Sequence, residues 1–168
     1  MDDDPVDEEF TRPPVTADLV ELCRWLNACG AAYIVLGGMA INIHGYARNT
    51  MDIDLLIETG EENEAKVLEA VSKLPDGAAK ELKPGEVGDY VVVRVCDDIT
   101  VDLMAKACGL SFAEARHLVT EITLHGVKIP FASPKLLWKT KQTHREKDEI
   151  DRVFLRKLLI DRGEWPVD

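Results

Sequence analysis

The sequence predicts an α/β fold, a mixed and largely antiparallel sheet of about five strands flanked by helices, and three observations carry that prediction. Short β-branched and aromatic runs such as Tyr33 to Leu36 alternate with segments of helical period such as Thr16 to Gly30. Glycine, proline and aspartate fall between them, at Gly37-Gly38, Pro75-Asp76-Gly77 and Asp97-Asp98. The 168 residues, 46% hydrophobic and 30% charged, have the composition of a globular domain with a sizeable core.

Taken in order, residues 1–15 are acidic, hold Pro5, Pro13 and Pro14 and lack periodicity, so a disordered or loosely draped lead-in is expected there. Thr16 to Gly30 reads as a packing helix, capped by Thr16, with Leu19, Leu22, Cys23 and Leu26 on one face. Tyr33 to Leu36 has the character of a buried strand that stops at Gly37-Gly38, and Met39 to His44 allows one or two helical turns. Amides of Gly38, Met39 and Ala40 would then face outward at a helix start, a favourable place for a polyphosphate.

Met51 to Glu58 reads as a second strand. Its period of two puts Asp52 and Asp54 on one face and Ile53, Leu55 and Ile57 on the other. Two adjacent acids repel unless a cation lies between them, and hard oxygen donors at this spacing suit Mg²⁺ (or Mn²⁺) carrying nucleotide phosphates. Glu61 to Leu74 follows as a covering helix, with Ala65, Leu68, Val71 and Ser72 on one side.

Tyr90 to Cys96 and Ile99 to Met104 form an expected hairpin about Asp97-Asp98. Asp102 shares a face with Thr100 and Met104, and an acid within so apolar a strand needs a reason to be ionised, which a metal supplies. Ser111 to Leu118 reads as a short helix, and Glu121 to Leu124 pairs with Val127 to Phe131 about His125-Gly126. Ser133-Pro134 opens a helix with Leu136, Leu137 and Thr140 as its buried edge. A final helix takes Ile150, Val153, Phe154, Lys157 and Leu158 as its apolar stripe, so the domain is expected over residues 16–162 with a tail at 163–168.

A strand, Gly37-Gly38, thirteen residues, then Asp52-Ile53-Asp54 on a second strand, with Gly45, Arg48 and Thr50 between, resembles the signature of the DNA polymerase β-like nucleotidyltransferase superfamily. The similarity is greatest to its small bacterial members, the nucleotidyltransferases of AbiEii-type toxin–antitoxin and abortive-infection systems, and more distant to the aminoglycoside and lincosamide nucleotidyltransferases. It covers Tyr33 to Glu58 and extends loosely to about Leu159.

The resemblance implies the nucleotidyltransferase fold and Mg²⁺-dependent transfer of a nucleoside monophosphate from a triphosphate to an acceptor hydroxyl, releasing pyrophosphate. Gly37 and Gly38 would cradle phosphate, and Asp52 and Asp54 would bind metal. Asp102 would be the third catalytic carboxylate, as metal ligand or general base. A base from the C-terminal part would reach the phosphates, with Lys139, Lys141 and Arg145 as candidates. Arg48 would offset the acidic cluster or meet the pyrophosphate, and Thr50 would open the strand or donate to a carboxylate. The acceptor is a small molecule, a protein or tRNA. The alternative is an antitoxin or partner-binding subunit with this fold and no turnover.

Charge narrows the partners. Of the net −11, six acids lie between Asp2 and Glu9, and the rest of the chain carries −5, which disfavours extended duplex contact. With no apolar run of membrane-spanning length and an acidic N-terminus, a cytoplasmic location is expected. Cys23, Cys29, Cys96 and Cys108 read as buried thiols rather than disulfides or a zinc site, and His117 and His125 as surface or turn residues. His44 reads as a helix-end residue close enough to the motif to touch a base or ribose.

Overall fold

The computed structural model describes residues 11–168, so most of the acidic lead-in lies outside the described residues. Arg12 is held by Asp18 and by Asp98, at 2.7 and 2.9 Å. Helix α1 spans Thr16–Cys29 and buries Leu19, Val20, Leu22, Cys23 and Leu26. Its N-cap is Val15 rather than Thr16, because the Asp18 carboxylate accepts the Val15 amide at 2.7 Å.

The strands are β1 (Tyr33–Leu36), β2 (Asp52–Ile57), β3 (Val92–Cys96), β4 (Thr100–Met104), β5 (Lys106–Ala107), β6 (Leu110–Ser111), β7 (Val119–Leu124) and β8 (Val127–Ala132). Six of them form one sheet in the order β3-β4-β2-β1-β8-β7, and β5 and β6 pair separately. The main sheet has six strands rather than five because both hairpins, β3–β4 and β7–β8, join it. Antiparallel pairs β3/β4, β1/β2 and β7/β8 alternate with the parallel pairs β2/β4 and β1/β8. His125 and Gly126 make the β7–β8 turn with φ of 48° and 78°, both left-handed as a two-residue hairpin loop requires.

The remaining helices are α2 (Gly37–Ile43), α3 (Glu61–Val71), α4 (Glu86–Tyr90), α5 (Phe112–Ala115), α6 (Pro134–Thr140) and α7 (Glu146–Asp161). Ser133 caps α6 through the Leu136 amide with Pro134 in the first turn, as its sequence dictates. Helix α1 packs on α3 and β8, while α6 packs on α7, α2 and β8. Central β1 is buried at all four positions, and Ile53, Leu55, Leu56 and Ile57 of β2 are inaccessible.

Two helices turn a different face inward than their apolar residues suggest. In α3 the buried set is Asn63, Glu64, Val67, Leu68, Ala70 and Val71, and Ala65 is exposed. The polar members have partners. Asn63 bonds the Ala32 amide and the carbonyls of Ala32 and Glu58, and Glu64 accepts the amides of Gly60, Gly85 and Val87. In α7, Ile150 and Val153 are exposed while Asp148, Asp151, Leu155 and Leu159 are buried, because cations from elsewhere in the chain draw the two aspartates inward. Cys96 and Cys108 are exposed rather than buried, and only Cys23 is fully enclosed.

His44 ends α2, and its Nε2 lies 2.8 Å from the Ala132 carbonyl, so it donates to β8 in its Nε2–H form. Among the described residues no helix is long and apolar enough to cross a membrane. Replacing Glu64 by alanine leaves three backbone donors without their buried acceptor, and we expect a loss of about 2–4 kcal/mol in urea unfolding. An exposed control, Glu62→Ala, is expected to change stability by less than about 0.5 kcal/mol.

Candidate active site

Strand register alone brings the three predicted aspartates together. Leu36 of β1 faces Asp54 of β2, Asp54 faces Asp102 of β4, and Asp102 faces Arg94 of β3. Residues in one such row share a face of the sheet, and Asp52, two positions before Asp54, joins it. One carboxylate oxygen from each of Asp52, Asp54 and Asp102 lies within 4.8 Å of the other two.

Their electrostatics follow from that crowding. Burial and then the charges of Asp52 and Asp102 push the Asp54 carboxyl up to about 8, against a smaller opposing pull from Lys141. The Asp52 carboxyl is raised too, first by burial and then by Asp102, with Arg94 and Arg145 acting in the other direction. At Asp52 and Asp54, burial and the neighbouring acids thus outweigh the nearby cations.

The glycine pair makes room for this arrangement. Gly37 has φ +63°, and a Cβ there would overlap Asp54 Oδ2; a Cβ on Gly38 would stand 2.6 Å from Thr50 Oγ1. Both glycines line a cavity of about 300 Å³ together with Arg48, Thr50, Asp52 and Asp54, and with Lys141, Arg145 and Lys147. Thr50 opens β2 by donating its hydroxyl to the Asp52 carbonyl at 3.0 Å and makes no bond to a carboxylate. Lys139 does not line the cavity. Lys141, just past the end of α6, does.

A buried ionic group joins the cavity to α7. Asp151, fully buried, accepts Arg48 Nη2 at 2.8 Å and Lys141 Nζ at 2.9 Å, and Lys141 also contacts Asp148 at 3.3 Å. Arg48 is thus paired with Asp151 rather than with the acidic cluster. Arg152 donates to the Lys141 and Thr143 carbonyls, fixing the connection between α6 and α7.

Asp151 and Arg94 are among the residues of this site that escaped the sequence reading. Asp151 looked like one of many alternating charges, and only the location of its partners distinguishes it. Arg94 left a signal. In a hairpin turning at Asp97-Asp98, Cys96 pairs with Thr100, and the next facing pair on the same side of the sheet as Asp102 is Arg94 with Asp102 itself.

Two expectations follow. Gly37→Ala forces a left-handed alanine against Asp54, and we expect at least about a tenfold loss of Mn²⁺ affinity by calorimetry together with about 1–2 kcal/mol of stability. Because the folded-state value of Asp54 lies above that of an unfolded carboxyl, the folded protein keeps a proton that the unfolded chain has lost. Stability in chelator therefore falls as pH rises from the ordinary carboxylate range through about 8. Urea midpoints at pH 6 and 9 should show this fall in the native protein and a smaller one in Asp54→Asn.

No protein-family model and no curated protein matches the chain. Among solved structures it is similar to the lincosamide antibiotic adenylyltransferase LnuA in its lincomycin-bound form, with a TM-score of 0.55 and 13% identity, over 88% of this chain and 99% of that one. It is also similar to an antigenic nucleotidyltransferase-like protein from Paracoccidioides brasiliensis, with a TM-score of 0.53 and 17% identity, over 88% of this chain and 79% of that one. Sheet order, flanking helices and these likenesses agree: the chain has the nucleotidyltransferase fold.

Proposed function

We propose that the protein is a divalent-metal-dependent nucleotidyltransferase that moves a nucleoside monophosphate from a triphosphate to an acceptor hydroxyl, with pyrophosphate leaving. The observation that carries this reading is the convergence of Asp52, Asp54 and Asp102 beside a cavity that is also lined by Lys141, Arg145 and Lys147. Mg²⁺ or Mn²⁺ held by these carboxylates would polarise the transferred phosphoryl group and lower the pKa of the acceptor hydroxyl.

The chain's own residues supply the rest. Gly37 and Gly38 leave the cavity floor free of side chains beside Asp54 and Thr50, where the phosphates fit. Lys141 and Arg145 are the cations for the β- and γ-phosphates, a role that Lys139 is not placed to fill. Arg48 contributes by position, since its ion pair with Asp151 keeps Lys141 at the cavity. Asp102 is the least exposed of the three acids, at 8% of its side chain against 22% for Asp52, which suits a ligand or base shielded from bulk water.

A small-molecule acceptor is favoured. A lincosamide-modifying enzyme of nearly the same extent as this chain has the same fold, and the net charge of −11 suits a cationic acceptor better than a nucleic acid. Incubation with each labelled triphosphate and Mg²⁺, offering aminoglycosides, lincosamides, protein and RNA as acceptors, tests this. We expect pyrophosphate release with label on a small molecule, reduced roughly 10²–10⁴-fold by Asp52→Asn or Asp54→Asn, a loss of several kcal/mol of transition-state stabilisation. Absence of label with every acceptor would refute transfer.

A further inference from the structure

Arg94 supplies cationic charge where the carboxylate group needs it. From β3 it donates Nε to Asp102 Oδ1 at 2.9 Å and Nη2 to Asp102 Oδ2 at 3.1 Å, and the same Nη2 lies 3.3 Å from Asp52 Oδ2. One guanidinium thus engages both oxygens of Asp102 in a fork and bridges to a second acid. The geometry is asymmetric. Arg94 is 42% exposed while Asp102 behind it is 8% exposed, so the cation covers the solvent side of the group.

Resting on the metal-dependent reading above, we infer that Arg94 is a built-in counter-cation: it holds Asp52 and Asp102 together without a divalent ion and weakens that ion's binding until it swings outward. A dication bound to carboxylate oxygens that a guanidinium already engages at about 3 Å would meet strong like-charge repulsion in a partly desolvated site. Arg94 is a long, half-exposed side chain able to change rotamer, whereas the aspartates stand on paired strands whose register fixes their Cα positions side by side. Arg94 is therefore a positioning residue that sets ion affinity.

Mn²⁺ titration by calorimetry tests this without turnover, using the full-length protein, Arg94→Gln, Arg94→Lys and Asp54→Asn, with thermal unfolding of each in chelator. We expect Arg94→Gln to bind Mn²⁺ at least about tenfold more tightly than the native protein while melting at a lower temperature in chelator. Arg94→Lys, which keeps the charge but loses the fork, should lie between and remains informative if the glutamine variant does not fold. Unchanged or weaker Mn²⁺ binding in these variants, with native binding still abolished by Asp54→Asn, overturns the inference and leaves the metal site standing. Native binding that is absent, or indifferent to Asp54→Asn, overturns both.

Discussion

Mutual repulsion of three carboxylates on one face of a sheet is the constraint on which this structure depends. Backbone hydrogen bonding between β2 and β4 fixes the Cα positions of Asp52, Asp54 and Asp102 side by side, which keeps their carboxylates close. The surroundings offset the repulsion in graded fashion. Arg94 answers it directly from the neighbouring strand, and Lys141 and Arg145 answer it across the cavity. Asp54 has burial and both neighbouring acids acting against its charge and only Lys141 acting for it, which is why its carboxyl is pushed up to about 8.

The opposite balance holds a few ångströms away. Asp151 is fully buried and has two cations, Arg48 and Lys141, within ion-pair distance. Removing one partner from such a buried group is costly, whereas the intact group contributes mainly by fixing geometry. Charge is thus distributed unevenly between two adjoining clusters, one short of cations and the other supplied from the glycine-motif loop and the segment after α6. The cavity is lined by members of both, Asp52 and Asp54 from the first and Arg48, Lys141 and Asp148 from the second.

Much of this was legible in the sequence, and the remainder was not for physical reasons. Alternation along Asp52 to Ile57 revealed which side chains share a face, because strand period is a local property. Asp102 was recoverable from its isolation within an apolar strand, but the parallel pairing that puts it beside Asp54 is a long-range choice with no local sign. Helix α7 misled for a related reason. Its apolar residues Ile150 and Val153 point outward, because a buried face of aspartates is favourable only once Arg48, over a hundred residues earlier, is brought against it. Lys139 and Lys141 were equivalent as sequence and are not as structure, since the helix ends between them and turns only the second toward the cavity.

The Asp151 ion pairs carry one more consequence. They link the docking of the last long helix to the shape of the cavity wall, because Arg48 and Lys141 both pair with Asp151 of α7. Any ligand that draws on the charge of either cation also changes the free energy that keeps that helix in place, and loosening the helix weakens the ligand by the same amount. The far end of the chain is thereby thermodynamically linked to the glycine motif, and the two behave as one cooperative unit although α6 and every strand after β1 separate them in sequence.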